Sequence, residues 1–173
     1  DGEKIDEFKS FVNPEVKIPA KITEITGIND RMVKDAPGLE AVINDFIDFA
    51  GTGVLVAHNA DFDYGFIRTA LENLEIDQAD YTVLDTLGLS RAVVKDSKNH
   101  KLNTLAKYFG VDLENHHRAL DDAAATAEVL KNLLQIIKDD GCQNLNQINN
   151  YTSKIDWKDL RPFHAVILSK NKK

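Results

Sequence analysis

Two stretches hold side chains able to do chemistry together: His58-Asn59-Ala60-Asp61-Phe62-Asp63, and His117-Arg118-Ala119-Leu120-Asp121-Asp122-Ala123, in which a histidine precedes an aspartate by five positions. Phosphodiester hydrolysis needs an activated water, charge facing the scissile phosphate and stabilisation of the leaving oxygen. Two divalent ions about 3.5–4 Å apart can supply all three. Carboxylates are the hard oxygen ligands that magnesium and manganese prefer, which makes Asp63 and Asp122 candidate metal ligands. A histidine titrates near neutrality, so His117, on the approach to the second helix, is a candidate general base. Each residue also has a structural reading, because an acid in a first helical turn interacts well with the helix dipole. Asp61 and Asp121 are assigned to that role or to supporting hydrogen bonds. His58 is expected to order a strand end rather than bind metal, and His116 to be exposed. His100 and His164 have no local partner pattern and are read as structural.

Positioning these groups requires a strand and two helices. Val54-Leu55-Val56-Ala57 is a short continuous apolar run, as expected of a strand buried on both faces. Asp63 follows it, at the end where sites of α/β sheets collect. From Asp63 on, Phe66, Ile67, Ala70, Leu71 and Leu74 mark a covering helix. Tyr81–Leu84 is a second strand, with Asp85-Thr86 capping a helix that runs through Arg91. Lys101–Phe109 is a short helix closed by Gly110. Leu120, Ala123, Ala127, Leu130, Leu134 and Ile137 step by three and four, which predicts one long helix buried along that stripe. Upstream, Glu7–Val12 alternates like a half-exposed strand, and Asp1-Gly2-Glu3 reads as the turn of a hairpin whose other strand is missing. Lys21–Asn29 is a short helix or turn ending at Thr26-Gly27-Ile28. Leu39, Val42, Ile43, Phe46, Ile47 and Ala50 mark a helix stopped by Gly51. Strands alternating with helices make this an α/β layered domain through about residue 140.

The bulk properties bound the rest. A chain of 173 residues with 43% hydrophobic residues can bury one substantial core. No apolar run approaches the roughly 20 residues of a membrane span, the amino terminus does not read as a signal peptide, and one cysteine, Cys142, forbids an internal disulfide. The expected compartment is the cytoplasm. A net charge of −7 argues against a long groove neutralising many phosphates. It leaves room for a site that meets phosphate through metal ions. The basic tail of Lys170, Lys172 and Lys173 is read as a solvated end.

The two stretches resemble the second and third motifs of the DEDDh exonucleases, an RNase H-like family that includes bacterial proofreading nucleases. Glu24-Ile25-Thr26-Gly27-Ile28 and Leu84-Asp85-Thr86-Leu87 also resemble the family's usual sequence around those motifs, and the likeness covers about residues 1–140. It implies an RNase H-like layered mixed sheet flanked by helices, a site for two Mg2+ or Mn2+ ions, and hydrolysis at the 3′ end of DNA. By the same resemblance, Asp63 and Asp122 bind the metals, His117 is the base, and Ile25, Thr26 and Asn59 contact the substrate. A narrower resemblance is to the exonuclease domains of PolC-type DNA polymerases III. Arg161-Pro162-Phe163-His164-Ala165-Val166-Ile167-Leu168 is similar to the segment with which such polymerases resume their PHP domain. Residues 141–173 are therefore expected to be a connector and the start of a following domain. The implied partners are a single-stranded or frayed primer end and the remainder of the polymerase and replisome.

The family's first motif, Asp-x-Glu on a central strand, has no counterpart here. The expectation is a domain incomplete at its amino-terminal side, inactive alone, with Val54–Ala57 left partly unpaired in the core. The competing readings are a catalytically inactive nuclease-fold module that binds DNA or serves as a scaffold, and a family member acting on RNA.

Overall fold

The computed structural model describes residues 2–77, 81–112, 119–142, 148, 151 and 165–167. The sheet is built around β1 (Val54–Ala57), whose four residues are all buried. It pairs in parallel with β2 (Val83–Asp85), matching Leu55 with Val83 and Ala57 with Asp85. On its other edge it pairs, also in parallel, with β3 (Ala165–Ile167), matching Val54 with Ala165 and Val56 with Ile167. The order β2-β1-β3 makes β1 the central strand. Its backbone is thus not left open: a segment more than 100 positions downstream supplies the second ladder.

Side chains alternate across a strand, and β1 uses both faces. Val54 and Val56 enter a cluster with Leu84, Leu89, Leu105, Val129, Leu133 and Ile137, which come from β2, α5 (Thr86–Val93), α6 (Leu102–Phe109) and α7 (Ala119–Asp139). Leu55 points the other way, into Phe46, Ala50 and Tyr81, beneath α3 (Leu39–Ala50) and α4 (Ala60–Asn73). The result is helices on both faces of a parallel sheet, the α/β layering that the alternating pattern implies.

The helices α3 and α6 end where glycine permits a backbone turn. Gly51 (φ 53°) donates its N–H to the Ile47 carbonyl, and Gly110 (φ 68°) caps α6 in the left-handed region. The buried stripe of α7 differs in phase from the apolar pattern. It consists of Asp122, Ala125, Thr126, Val129, Leu130, Leu133 and Ile137, while Leu120, Ala123, Ala127 and Leu134 are only half-buried. Two polar residues occupy the inner face, and the Thr126 hydroxyl is satisfied by donating to the Asp122 carbonyl at 2.8 Å.

Residues 7–12 do not form the strand that their alternation predicts, because no described segment pairs with them and a strand exists only within a ladder. Phe8 instead packs against Phe49 and Phe46, with ring centroids 5.6 and 6.3 Å away. Two short helices follow, α1 (Ala20–Thr26) and α2 (Asp30–Val33). α1 buries none of its residues. Among the described residues, no helix is long and apolar enough to cross a membrane.

Candidate functional site

The carboxyl ends of β1 and β2 are tied together by one side chain. Asp85 ends β2 beside Ala57, and its Oδ1 accepts N–H bonds from Asn59 at 2.8 Å, from Ala60 at 3.4 Å and from Leu87 at 2.9 Å. The first two amides open α4 and the third opens α5, so one carboxylate serves the unsatisfied amino-terminal donors of two helices. The capping role read for Asp85 from sequence therefore holds for α5, and it extends to the helix that carries Asp63. Asn59 makes this geometry possible by adopting a left-handed conformation (φ 74°, ψ 56°) that asparagine tolerates better than most residues.

A second set of bonds braces the same end. The His58 ring places Nδ1 3.0 Å from the Thr86 hydroxyl and Nε2 2.8 Å from the His100 carbonyl. A carbonyl only accepts, so Nε2 carries the proton. Thr86, fully buried, also sets its hydroxyl 3.2 Å from the Ala57 carbonyl, so its one proton is shared between that carbonyl and the His58 ring. With both ring nitrogens engaged by protein groups, His58 orders the strand end and is not presented to a metal, as its sequence reading anticipated.

From this braced corner α4 carries Asp61 and Asp63 in its first turn, the former exposed and the latter half-buried. α7 carries Asp121 and Asp122 in its first turn, and Asp122 is 9% exposed. Both helices pack on β1. A carboxylate buried within a stripe of alanine, valine and leucine contributes nothing to apolar packing and is costly to desolvate, so it marks a place where the fold gives up stability. His117 lies outside the described residues, as do His116 and His164. Ile25 and Thr26 sit half-buried at the end of α1. The Thr26 hydroxyl donates to the Ile22 carbonyl at 2.8 Å and accepts from the Ile28 amide at 3.1 Å, which fixes the helix end.

Asp63 and Asp122 have the right donor chemistry for a hard divalent cation. Among the described residues, however, no three histidine, cysteine, aspartate or glutamate side chains gather into a group able to hold a metal ion. The two aspartates can supply part of a cation's shell, not all of it. Residues missed by the sequence reading are Thr86 and the wider part played by Asp85. Their signal was the Asp-Thr pair directly after a strand, read as a helix cap and as part of the family likeness.

A parallel α/β sheet with acids opening two helices that pack on its central strand is the framework of a nuclease domain, and the chain belongs to the exonuclease family whose model, RNase_T, matches residues 1–130. It is homologous to PolC-type DNA polymerases III. It is 45% identical over 171 residues to that of Caldanaerobacter subterraneus subsp. tengcongensis, 46% over 173 residues to that of Clostridium perfringens, and 43% over 172 residues to that of Bacillus subtilis. These alignments take in 98%, 99% and 98% of this chain but only 12% of each polymerase. Among solved structures, exonuclease X in complex with 5′-overhanging duplex DNA superposes with a TM-score of 0.63 at 25% identity, covering 88% of this chain and 84% of that one. The expected RNase H-like α/β class is thus borne out.

Proposed function

We propose that this domain is the 3′→5′ proofreading exonuclease of a PolC-type DNA polymerase III, removing nucleotides from a frayed or single-stranded primer end in the cytoplasm. The observation that carries the reading is Asp122, an acid buried at the head of α7 in a helix face otherwise made of small and apolar residues and one satisfied threonine. The family membership and the likeness to a nuclease solved with DNA support the substrate class. Asp63 and Asp122 supply two of the carboxylates that hold Mg2+ or Mn2+, and when bound these ions activate the attacking water and offset charge on the phosphate. His117 accepts the proton of that water. Asn59, Ile25 and Thr26 contact the terminal nucleotide. His58, Thr86 and Asp85 act by fixing the start of α4, and so the backbone from which Asp63 projects.

Residues 1–140 carry the nuclease unit in this reading. Residues 141–173 lead into a following domain of the PHP kind, with Ala165–Ile167 completing the edge of β1 on the way. Two carboxylates hold a hard cation poorly, so the 173-residue chain has little activity alone until a segment bearing Asp-x-Glu joins it. A 3′-mismatched primer in Mg2+ tests the whole proposal. Fused to or mixed with such a segment, the chain releases single nucleotides from the 3′ end. Asp122→Asn abolishes the release, and His117→Ala slows it by roughly 10²–10⁴-fold without loss of DNA binding. Chelator-sensitive activity from the chain alone, or wild-type rates in either variant, refutes the assignment.

A further inference from the structure

β1 has two edges, and each can hold one ladder. β2 takes one and Ala165–Ile167 takes the other, so both strand positions beside β1 are filled. A small hard cation bonds its oxygens at about 2.0–2.1 Å, whereas neighbouring strands lie about 4.8 Å apart. Any ligand that the sheet adds to a cation held at the end of β1 must therefore come from an adjacent strand position, not from one farther out. On the β2 side the acid is Asp85, which already accepts three amide bonds. On the other side stand alanine, valine and isoleucine, which have no side-chain oxygen. That position also borders α7, the helix of Asp122, which packs on β3 as well as on β1. Among the described residues no metal-holding group forms, and the occupant of this position accounts for that.

We propose that Ala165–Ile167 is a placeholder: it fills the docking position of an acid-bearing strand, and exchange of one for the other completes the metal site. This rests on the exonuclease reading and adds a switch to it. β3 is an edge strand of three residues, shorter than the roughly five or six of a common strand. It holds β1 through few bonds, and its departure leaves β1, β2 and the helices packed on them in place. A strand entering parallel to β1 finishes at the same end of the sheet, where α4 opens. Residues two apart share a face, so the acids of Asp-x-Glu, set in line with Val56, face the side that α7 covers. The displaced segment is then available to the following domain, whose start its sequence resembles.

Leu55 donates its N–H to Thr82, on the β2 side. Val54 and Val56 then face β3, and Val166, paired with Leu55 between them, turns its own N–H toward β1. The probe is a synthetic peptide of alternating valine and threonine leading into Asp-x-Glu, added to the 173-residue chain while hydrogen exchange is followed by NMR. Strand exchange should speed the Val166 amide roughly tenfold or more while the amides of β1 stay protected. Val166→Pro deletes the β3 ladder bond and should tighten peptide binding roughly tenfold or more. With Mg2+ and a 3′-mismatched primer, the peptide complex should release nucleotides. A Val166 amide that keeps or gains protection with peptide bound would put the peptide on the outer edge of β3 and overturn the inference. A Val166→Pro chain that binds peptide no tighter than the parent would overturn it too. In either case, nucleotide release by the complex keeps the exonuclease reading. Strand exchange without nucleotide release keeps the placeholder and removes that reading.

Discussion

Residues 53–60 and residues 2–37 approach the same domain in opposite ways. In the first, Gly53, all of β1 and Ala60 are buried, and Asp85, His58 and Thr86 tie the strand end to two helices through hydrogen bonds that span 25 or more positions. In the second, Val33 alone is buried. The attachments there are few: the Asn13 amide and side chain donate to Pro37 and Lys34 at 2.8 and 3.0 Å, and the Ile18 amide donates to Asp30 at 2.7 Å. The half of the site that holds Asp63 is rigid through the chain's own bonds. The half that holds Ile25 and Thr26 gains order from outside contacts, and substrate is one source of them.

The comparison breaks first at Asp85. Asp85→Ala leaves three part-buried helix-opening amides without their acceptor and should cost about 3 kcal/mol in urea unfolding. Asp85→Asn keeps an acceptor without the charge and should lose about 1 kcal/mol. An alanine variant as stable as the parent would mean that the corner is held by packing alone. Thr86→Val comes next, at roughly 1–3 kcal/mol, because it removes a buried hydroxyl that meets both the Ala57 carbonyl and one nitrogen of the part-buried His58. Combined with His58→Ala, the two losses should fall short of additivity, since both remove one shared bond. Full additivity would separate the two residues energetically.

How much of this was legible in the chain follows the same division. β1, α3 and α6 could be read directly, since an apolar run or a 3.6-residue stripe bounded by glycine admits few other structures. Residues 7–12 had the alternation of a strand and no ladder to join, because periodicity reports which face meets a core and not whether a neighbour exists. The inner face of α7 was misphased because Asp122 and Thr126 are polar, and a reading that counts apolar residues slides past them to Ala123 and Ala127. For the candidate site, both acids and their placement in first helical turns were legible, and so was the bracing part of His58. The three-amide grip of Asp85 was not: its partners Asn59 and Ala60 are 26 and 25 positions away, and only the parallel pairing of β1 with β2 brings them near.

A smaller effect is expected at Asn59. Its left-handed backbone costs an ordinary residue about 1 kcal/mol, so Asn59→Ala should destabilise by that amount and Asn59→Gly by less than half of it. Equal losses in the two variants would point to the asparagine side chain rather than to the backbone. In the active assembly, the alanine variant should also turn over more slowly, since a misaimed first turn of α4 displaces Asp63.

The smallest effect belongs to the amino-terminal region, and it is the one that could most easily overturn the contrast. Ile22 is 45% exposed on α1, a helix that buries none of its own residues. Truncation there removes little from any core, so Ile22→Ala should change stability by less than about 0.5 kcal/mol. The amides of residues 20–26 should exchange with solvent through local opening, while those of β1 should exchange only on global unfolding. Adding a single-stranded oligodeoxynucleotide should slow exchange in α1 and leave β1 unchanged, because ligand energy is gained where order is gained. Protection of α1 equal to that of β1 in the free chain would show that the two regions are one cooperative unit. The rigid and adaptable halves of the site would then be the same structure.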